Sequence, residues 1–216
     1  MLGWAGTILK FDLSSGEILK EELESSFAKS FLGGRGFNSK FIFDSLDPSV
    51  RPFDPQNTIC VSAGLLSGTM APSSGRLVVS VSRSPLTGYF CDGNAGGFFA
   101  SEMAQAGYDL IIIRGRANKP VYIYIEDENV EIRDAKNVWG RDLWEATHVI
   151  QEEVDDLRTQ VLAIGPAGES LSAQAAVICN LGRAAGAGGM GAVFGSKNLK
   201  AIAVRGSKGK RVARSD

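Results

Sequence analysis

Histidine is nearly absent from the sequence, with one residue, His148, in 216. A lone imidazole cannot assemble a metal site, and His148 falls in a helical pattern where a surface position is expected. Cysteine is scarce as well. Cys60, Cys91 and Cys179 are odd in number and widely spaced, so neither a disulfide framework nor a C-x-x-C metal motif can be read from them, and each is expected to be a small buried apolar residue. No apolar run approaches the roughly 18 residues of a membrane span. The start, "MLGWAGTILKF", lacks the charged beginning and apolar core of a secretory signal, so a cytoplasmic protein with no membrane partner is expected. Neither sign of charge dominates. With 23 basic and 24 acidic residues the net charge is -1, which leaves no footprint for nucleic acid. The one basic stretch, residues 209–216, is expected to be a solvated linker or tail.

Complete catalytic motifs are missing too: there is no G-x-S-x-G elbow, no plausible cysteine and histidine pair and no His-rich metal motif. Acid runs occur in "KEELE", "EDEN" and "EEVDD", but they fall at a strand exit, at a hairpin turn and on the polar side of a helix, as solvated carboxylates do.

What the sequence does contain is a globular composition, 44% apolar and 22% charged, arranged twice in the same order. "GTILKFDLSSGEILKEEL" reads as two strands joined by a tight turn. Phe27, Phe31 and Leu32 then mark a helical face, interrupted by "GGRG" and resumed by Phe37 and Phe41. The strands "TICVSAGLL" and "RLVVSVSRS" follow. "GNAGGFFASEMAQAG" predicts a helix capped by Asn94, faced by Phe99, Met103 and Ala106 and closed by Gly107, before the strand "LIIIRG". From residue 121 the order restarts with the hairpin "VYIYIEDENVEIRDA" and a helix faced by Leu143, Thr147, Ile150 and Val154. The strands "TQVLAIG" and "AAVIC", a short helix with Met190, Val193 and Phe194, and the strand "AIAVRG" complete it. The expected fold class is α+β: two internally related β-β-α-β-β-α-β halves, related by a pseudo-twofold duplication, forming two mixed sheets with helices.

Each half then has one glycine-rich helix entrance, "GNAGG" at 93–97 and "RAAGAGG" at 183–189. A helix start offers about four unpaired N–H groups and a partial positive charge, which suit phosphate or another anion. Glycine also serves plain close packing. Two loops in matching places, each beside an arginine, Arg76 and Arg183, favour a ligand. Nucleotide motifs fail on context. "GAGGMG" satisfies G-x-G-x-x-G by letter but does not directly follow a strand, and no acid follows until Asp216. "GAVFGSKN" has the wrong spacing for a P-loop, and its Lys197 is expected on the surface near a helix end.

The segments "APSSGRLVVSVSRSPLTGYFCDGNAGGFFASEMAQAGYDLIIIRG" and "IGPAGESLSAQAAVICNLGRAAGAGGMGAVFGSKNLKAIAVRGSK" strongly resemble the N-terminal domain of the tungsten-dependent aldehyde ferredoxin oxidoreductase family. The most specific parts are "SPLTG", "AGYD", "GPAGE" and "GSKNLKAIAV". The resemblance implies a tungstopterin-binding domain over residues 1–208, with 209–216 as a linker or tail. Each half would hold one pterin of a bis-pterin tungsten cofactor. Arg76, Asn94, Ala95, Gly96 and Gly97 would serve one half, and Arg183, Ala184, Gly186, Gly188 and Gly189 the other. Magnesium would bridge the two pterin phosphates near Asn94 and Ala184, whose oxygens suit a hard cation.

The resemblance further implies a 4Fe-4S cluster ligated by later domains and not by this chain, aldehyde as substrate, ferredoxin as electron acceptor and the enzyme's C-terminal domains as partners. No residue here is nominated as acid, base or nucleophile, and the fragment alone is expected to be inactive. Its uncovered cleft could also attract another copy of the chain. Two departures stand out: Ala187, where many members carry Arg, and the acidic Asp92. The competing reading is a stand-alone cofactor carrier or assembly module that keeps the fold without catalysis.

Overall fold

In the computed structural model, which describes residues 1–214, the duplication is explicit. The first half contains β1 (Thr7–Asp12), β2 (Glu17–Glu22), α1 (Ser25–Phe31), α2 (Arg35–Ser45), β3 (Ile59–Ala63), β4 (Leu77–Val81), β5 (Cys91–Ala95), α3 (Phe99–Gln105) and β6 (Leu110–Arg114). The second contains β7 (Val121–Glu126), β8 (Asn129–Asp134), α4 (Leu143–Glu153), β9 (Gln160–Ala163), α5 (Pro166–Glu169), β10 (Val177–Cys179), β11 (Arg183–Ala185), α6 (Met190–Ser196) and β12 (Leu199–Arg205). Each half forms a six-stranded sheet, ordered β2-β1-β6-β3-β4-β5 in the first and β8-β7-β12-β9-β10-β11 in the second. Both sheets are mixed, because β1 runs parallel to β6 and β7 parallel to β12 while the other neighbours are antiparallel.

The register makes the halves comparable residue by residue. A row across the first sheet runs Asn94–Val78–Ser62–Leu110. The matching row of the second runs Ala184–Ile178–Ala163–Ala201. Leu110 and Ala201 open the equivalent strands "LIIIRG" and "AIAVRG". Asn94 and Ala184 are therefore mates under the duplication.

Alternation along the strands explains the layers. On β6, Ile111 and Ile113 face the principal core while Leu110 and Ile112 pack under α1 and α2 with Phe37 and Ile42. On β12, Ile202 and Val204 face the same principal core while Ala201 and Ala203 pack under α4 with Ala146 and Ile150. Period-2 side chains buried on both faces require both faces to be covered. The inner layer is supplied by α3 and α6: Phe99, Met103, Met190 and Phe194 join strand residues of both sheets in one core. Helix α3 touches β3 of its own sheet and β9 and β12 of the other, and α6 touches β12 and β4. The halves thus share a core.

Several expectations need correction. Each half has one more strand than the expected pattern, because β5 and β11 take up the first residues of the glycine-rich stretches. Asn94 consequently lies in a strand, and α3 starts only at Phe99 with Phe98 before it. Lys197 is fully buried. Residues 115–117, which join the halves, close over it: Ala117 N–H donates to Lys197 O at 3.1 Å and Arg116 Nε to Ser196 O at 2.5 Å. Cys60 and Cys179 are buried, but Cys91 is only half-buried. His148 is exposed on α4, as expected.

Candidate functional site

The last strands of the two sheets, β5 and β11, meet edge to edge at the junction of the halves. Their close approach depends on Gly93, where a Cβ would lie 2.5 Å from Met190 Cε and 2.7 Å from Gly186 O. The stretch after β11 is held by the first half. Ser84 Oγ donates to Gly188 O at 2.8 Å and the Cys91 thiol to Ala187 O at 3.3 Å. Gly188 and Gly189 are buried, and Gly189, in the left-handed region, caps α6 against Ala173 and Pro85. In the protein alone, Gly188 and Gly189 serve packing along this seam, whereas a Cβ at Gly186 would meet nothing within 4 Å.

The first half's loop is held by the second in return. Asn180 Oδ1 accepts from Phe98 N–H at 2.8 Å, and the Cys179 thiol donates to Gly96 O at 3.0 Å. Burial pushes the Cys179 thiol up to about 11, against the opposing pull of Arg183, so it keeps its donor proton at neutral pH. Burial likewise raises Cys91, with the Asp92 charge adding to it.

Beside this seam opens a cleft of about 530 Å³ lined by Ser73, Gly75, Arg76, Gly96, Gly97, Phe98, Asn180 and Arg183. Two guanidinium groups and no carboxylate are in that lining. The Arg76 guanidinium donates to Asn94 Oδ1, which ties the arginine to the exposed face of β5. Ala95 is buried within the strand, and Ala184 stands exposed next to Arg183. Among the described residues, the N–H groups of Gly96 and Gly97 meet no acceptor within the chain. Asp92 is neutralised by Arg35, 2.8 Å away, and is absent from the cleft lining.

The structure therefore brings together Arg76, Asn94, Gly96, Gly97 and Arg183, with Ala184 at the rim, and leaves the later glycines in the seam. Ser73, Gly75, Phe98 and Asn180 are lining residues that sequence reasoning missed; the one local signal at Asn180 is an Asn before Leu-Gly, a residue type that tolerates the left-handed conformation it adopts, φ 47°. A cationic wall, free N–H groups and absent side chains fit a bulky anionic ligand. A second hollow, of about 480 Å³ between α1, α2 and Phe90, is almost wholly apolar, and the one cation in its lining, Lys40, is already paired with Asp44. Among the described residues, no three His, Cys, Asp or Glu side chains converge as a metal cage, and no helix is long and apolar enough to cross a membrane.

A duplicated α+β frame whose two halves brace each other around one cationic, glycine-lined cleft defines a ligand-holding domain. The fold alone does not say which ligand. The chain belongs to the aldehyde ferredoxin oxidoreductase family: the description of that family's N-terminal domain matches residues 8–206. It is 51% identical, over 99% of its length, to a tungsten-containing aldehyde ferredoxin oxidoreductase of Pyrococcus horikoshii, of which it spans 35%. It is 35% identical, over 96% of its length, to an aliphatic sulfonate oxidoreductase, WOR-like subunit, of Pyrococcus furiosus, again spanning 35% of that protein. Among solved structures it matches the active-site complex BamBC of benzoyl coenzyme A reductase bound to 1,5-dienoyl-CoA, with a TM-score of 0.94 and 40% identity. That match covers 97% of this chain and 32% of the other.

Proposed function

We propose that this domain holds a bis-pterin tungsten cofactor by its phosphate ends, within a longer cytoplasmic enzyme that oxidises aldehydes to carboxylic acids and passes electrons to ferredoxin. The observation that carries this reading is the cleft itself. Arg76 and Arg183 supply permanent positive charge, and the N–H groups of Gly96 and Gly97 are unspent, at the meeting line of two matched strands. Asn94 and Ala184, mates in the sheet register, would hold a hard cation such as magnesium through one oxygen donor from each half.

The cofactor supplies the redox chemistry when bound. This chain's part is to bind and orient: the arginines neutralise phosphate, the glycines admit it to the backbone, and the seam fixes the distance between the half-sites. A 4Fe-4S cluster, the aldehyde pocket and the contact with ferredoxin belong on this reading to the C-terminal domains. The range of activities among its relatives supports that division. Proteins similar to this chain along its whole length include oxidoreductases of aldehydes and sulfonates and a benzoyl coenzyme A reductase, so the shared part holds what they have in common.

The test is metal and pterin content of the full-length enzyme. Arg76→Ala is expected to lower bound tungsten and extractable pterin severalfold while the unfolding midpoint of the apo-protein stays near that of the parent. Unchanged content in a folded variant overturns the reading.

A further inference from the structure

Asn180 sits in the tight turn between β10 and β11, with its own φ at 47° and that of Leu181 at 61°. Two consecutive non-glycine residues in the left-handed region are costly, and such backbone persists only where its surroundings hold it. Its side-chain amide is spent at both ends. Oδ1 takes the Phe98 N–H of the other half at 2.8 Å, and Nδ2 donates to Gln160 Oε1 on β9. The neighbouring Gly97 has φ +112°, and a Cβ there would fall on Asn180 Oδ1. Cys179 fixes the other side of the same loop through Gly96 O at 3.0 Å.

The loop offers three consecutive N–H groups, at Gly96, Gly97 and Phe98. Asn180 occupies the third; the first two meet no acceptor among the described residues, and both glycines line the cleft. Resting on the cofactor reading above, we propose that Asn180 is a positioning residue for the first half's anion loop. It sets which two N–H groups face the phosphate, so the first half's binding site is complete only when the second half's turn is in place. Gln160, by holding Nδ2, fixes which end of the amide is the acceptor.

Two variants of the full-length chain separate this role from general stability. Asn180→Gly keeps the left-handed backbone and removes the amide. Asn180→Asp keeps an acceptor for Phe98 N–H and places a negative charge in the cleft wall. Amide hydrogen exchange on the segment containing Phe98 reads the loop directly. Loss of one hydrogen bond worth about 1 kcal/mol should speed exchange there roughly fivefold in Asn180→Gly. Asn180→Asp should keep Phe98 protected. Bound tungsten should fall in both, through loop disorder in the first and through repulsion of an anionic ligand in the second.

Wild-type exchange at Phe98 in Asn180→Gly overturns the positioning role, as does wild-type tungsten in both variants alongside a metal-poor Arg76→Ala protein. If Arg76→Ala also retains its metal, the failure lies in the cofactor reading of the cleft, and the exchange data still decide whether Asn180 orders the loop.

Discussion

Under the duplication, Asp109 of the first half and Lys200 of the second occupy the same place: Ala63 N–H donates to Asp109 O at 3.2 Å and Ile164 N–H to Lys200 O at 3.0 Å. Both side chains are buried and they carry opposite charge. Asp109 accepts from the N–H groups of Ala5 and Gly6 at 3.0 and 2.7 Å and so pins the incoming chain. Lys200 instead pairs with Glu169 at 2.5 Å and donates to Arg141 O at 2.8 Å, fastening α5 to its sheet. The cleft shows the same divergence. Each half contributes one arginine, Arg76 or Arg183; the first adds N–H groups that meet no acceptor, and the second adds the Asn180 turn while its Gly188 and Gly189 are buried in the seam. The frame kept its twofold relation, and the side chains divided the work.

The largest expected break in this comparison comes from Lys200→Met. It leaves Glu169, 8% exposed, without its cation, a loss of about 3–5 kcal/mol that chemical denaturation would read. Asp109→Asn keeps the shape and one acceptor and should cost less, about 1–3 kcal/mol. Equal costs would mean that the two buried charges do equivalent work after all.

Next in size is the seam. Gly93→Ala forces a methyl against Gly186 O and Met190 and should cost about 1–3 kcal/mol. Gly186→Ala, on the facing strand's exit, meets nothing within 4 Å and should stay within about 0.5 kcal/mol. Thermal unfolding of the pair measures the asymmetry.

Lys197 gives a smaller, pH-dependent signal. Burial, reinforced by Arg116 and Arg114 and opposed by Asp12, lowers its pKa to about 7. Its amine donates to Pro55 O of the first half at 2.7 Å and to Gly115 O of the linker at 3.0 Å. The unfolded chain, with an ordinary lysine near pKa 10.4, binds the proton more tightly than the native state. Stability from this group therefore rises between about pH 7 and pH 10 and is lost as pH falls back through 7. Lys197→Met should flatten that slope, and an unchanged slope would place the titration elsewhere. Smallest of all, Arg35→Ala removes an ion pair whose arginine is 65% exposed. A loss below about 1 kcal/mol is expected, with any effect on metal content coming from the freed Asp92.

How much of this was legible depended on the range of the interactions. The apolar strands "TICVSA", "LIIIR" and "AIAVR" and the repeated Arg-Gly endings declared themselves through local pattern, and so did the break of the first helix at "GGRG". The strands "CDGNA" and "RAA" have no strand-forming side chains to betray them. They are extended because β4 and β10 pair with them, contacts no local window contains. Lys197 looked like a surface residue because lysine usually is one, and its burial is imposed by a linker some 80 positions earlier. Arg76, Arg183 and the first glycine loop drew notice through local composition, and they line one cleft. Asn180 drew none, since its partner Phe98 is 82 residues away. The identity of the ligand came from resemblance and not from spacing.

The reciprocal bracing at the seam also bears on how such a domain arises. A protein made of one half would hold a loop with no Asn180 to take its N–H, or a glycine stretch with no Ser84 to hold its carbonyl, and would have to borrow each from a second molecule. Joining the halves through residues 115–120 turns that encounter between molecules into a folding step within one chain, at an effective concentration set by the short linker and independent of how much protein is present. Fusion also releases the two copies from having to be identical, so that each can keep one arginine at the cleft while only the first leaves two loop N–H groups without an acceptor.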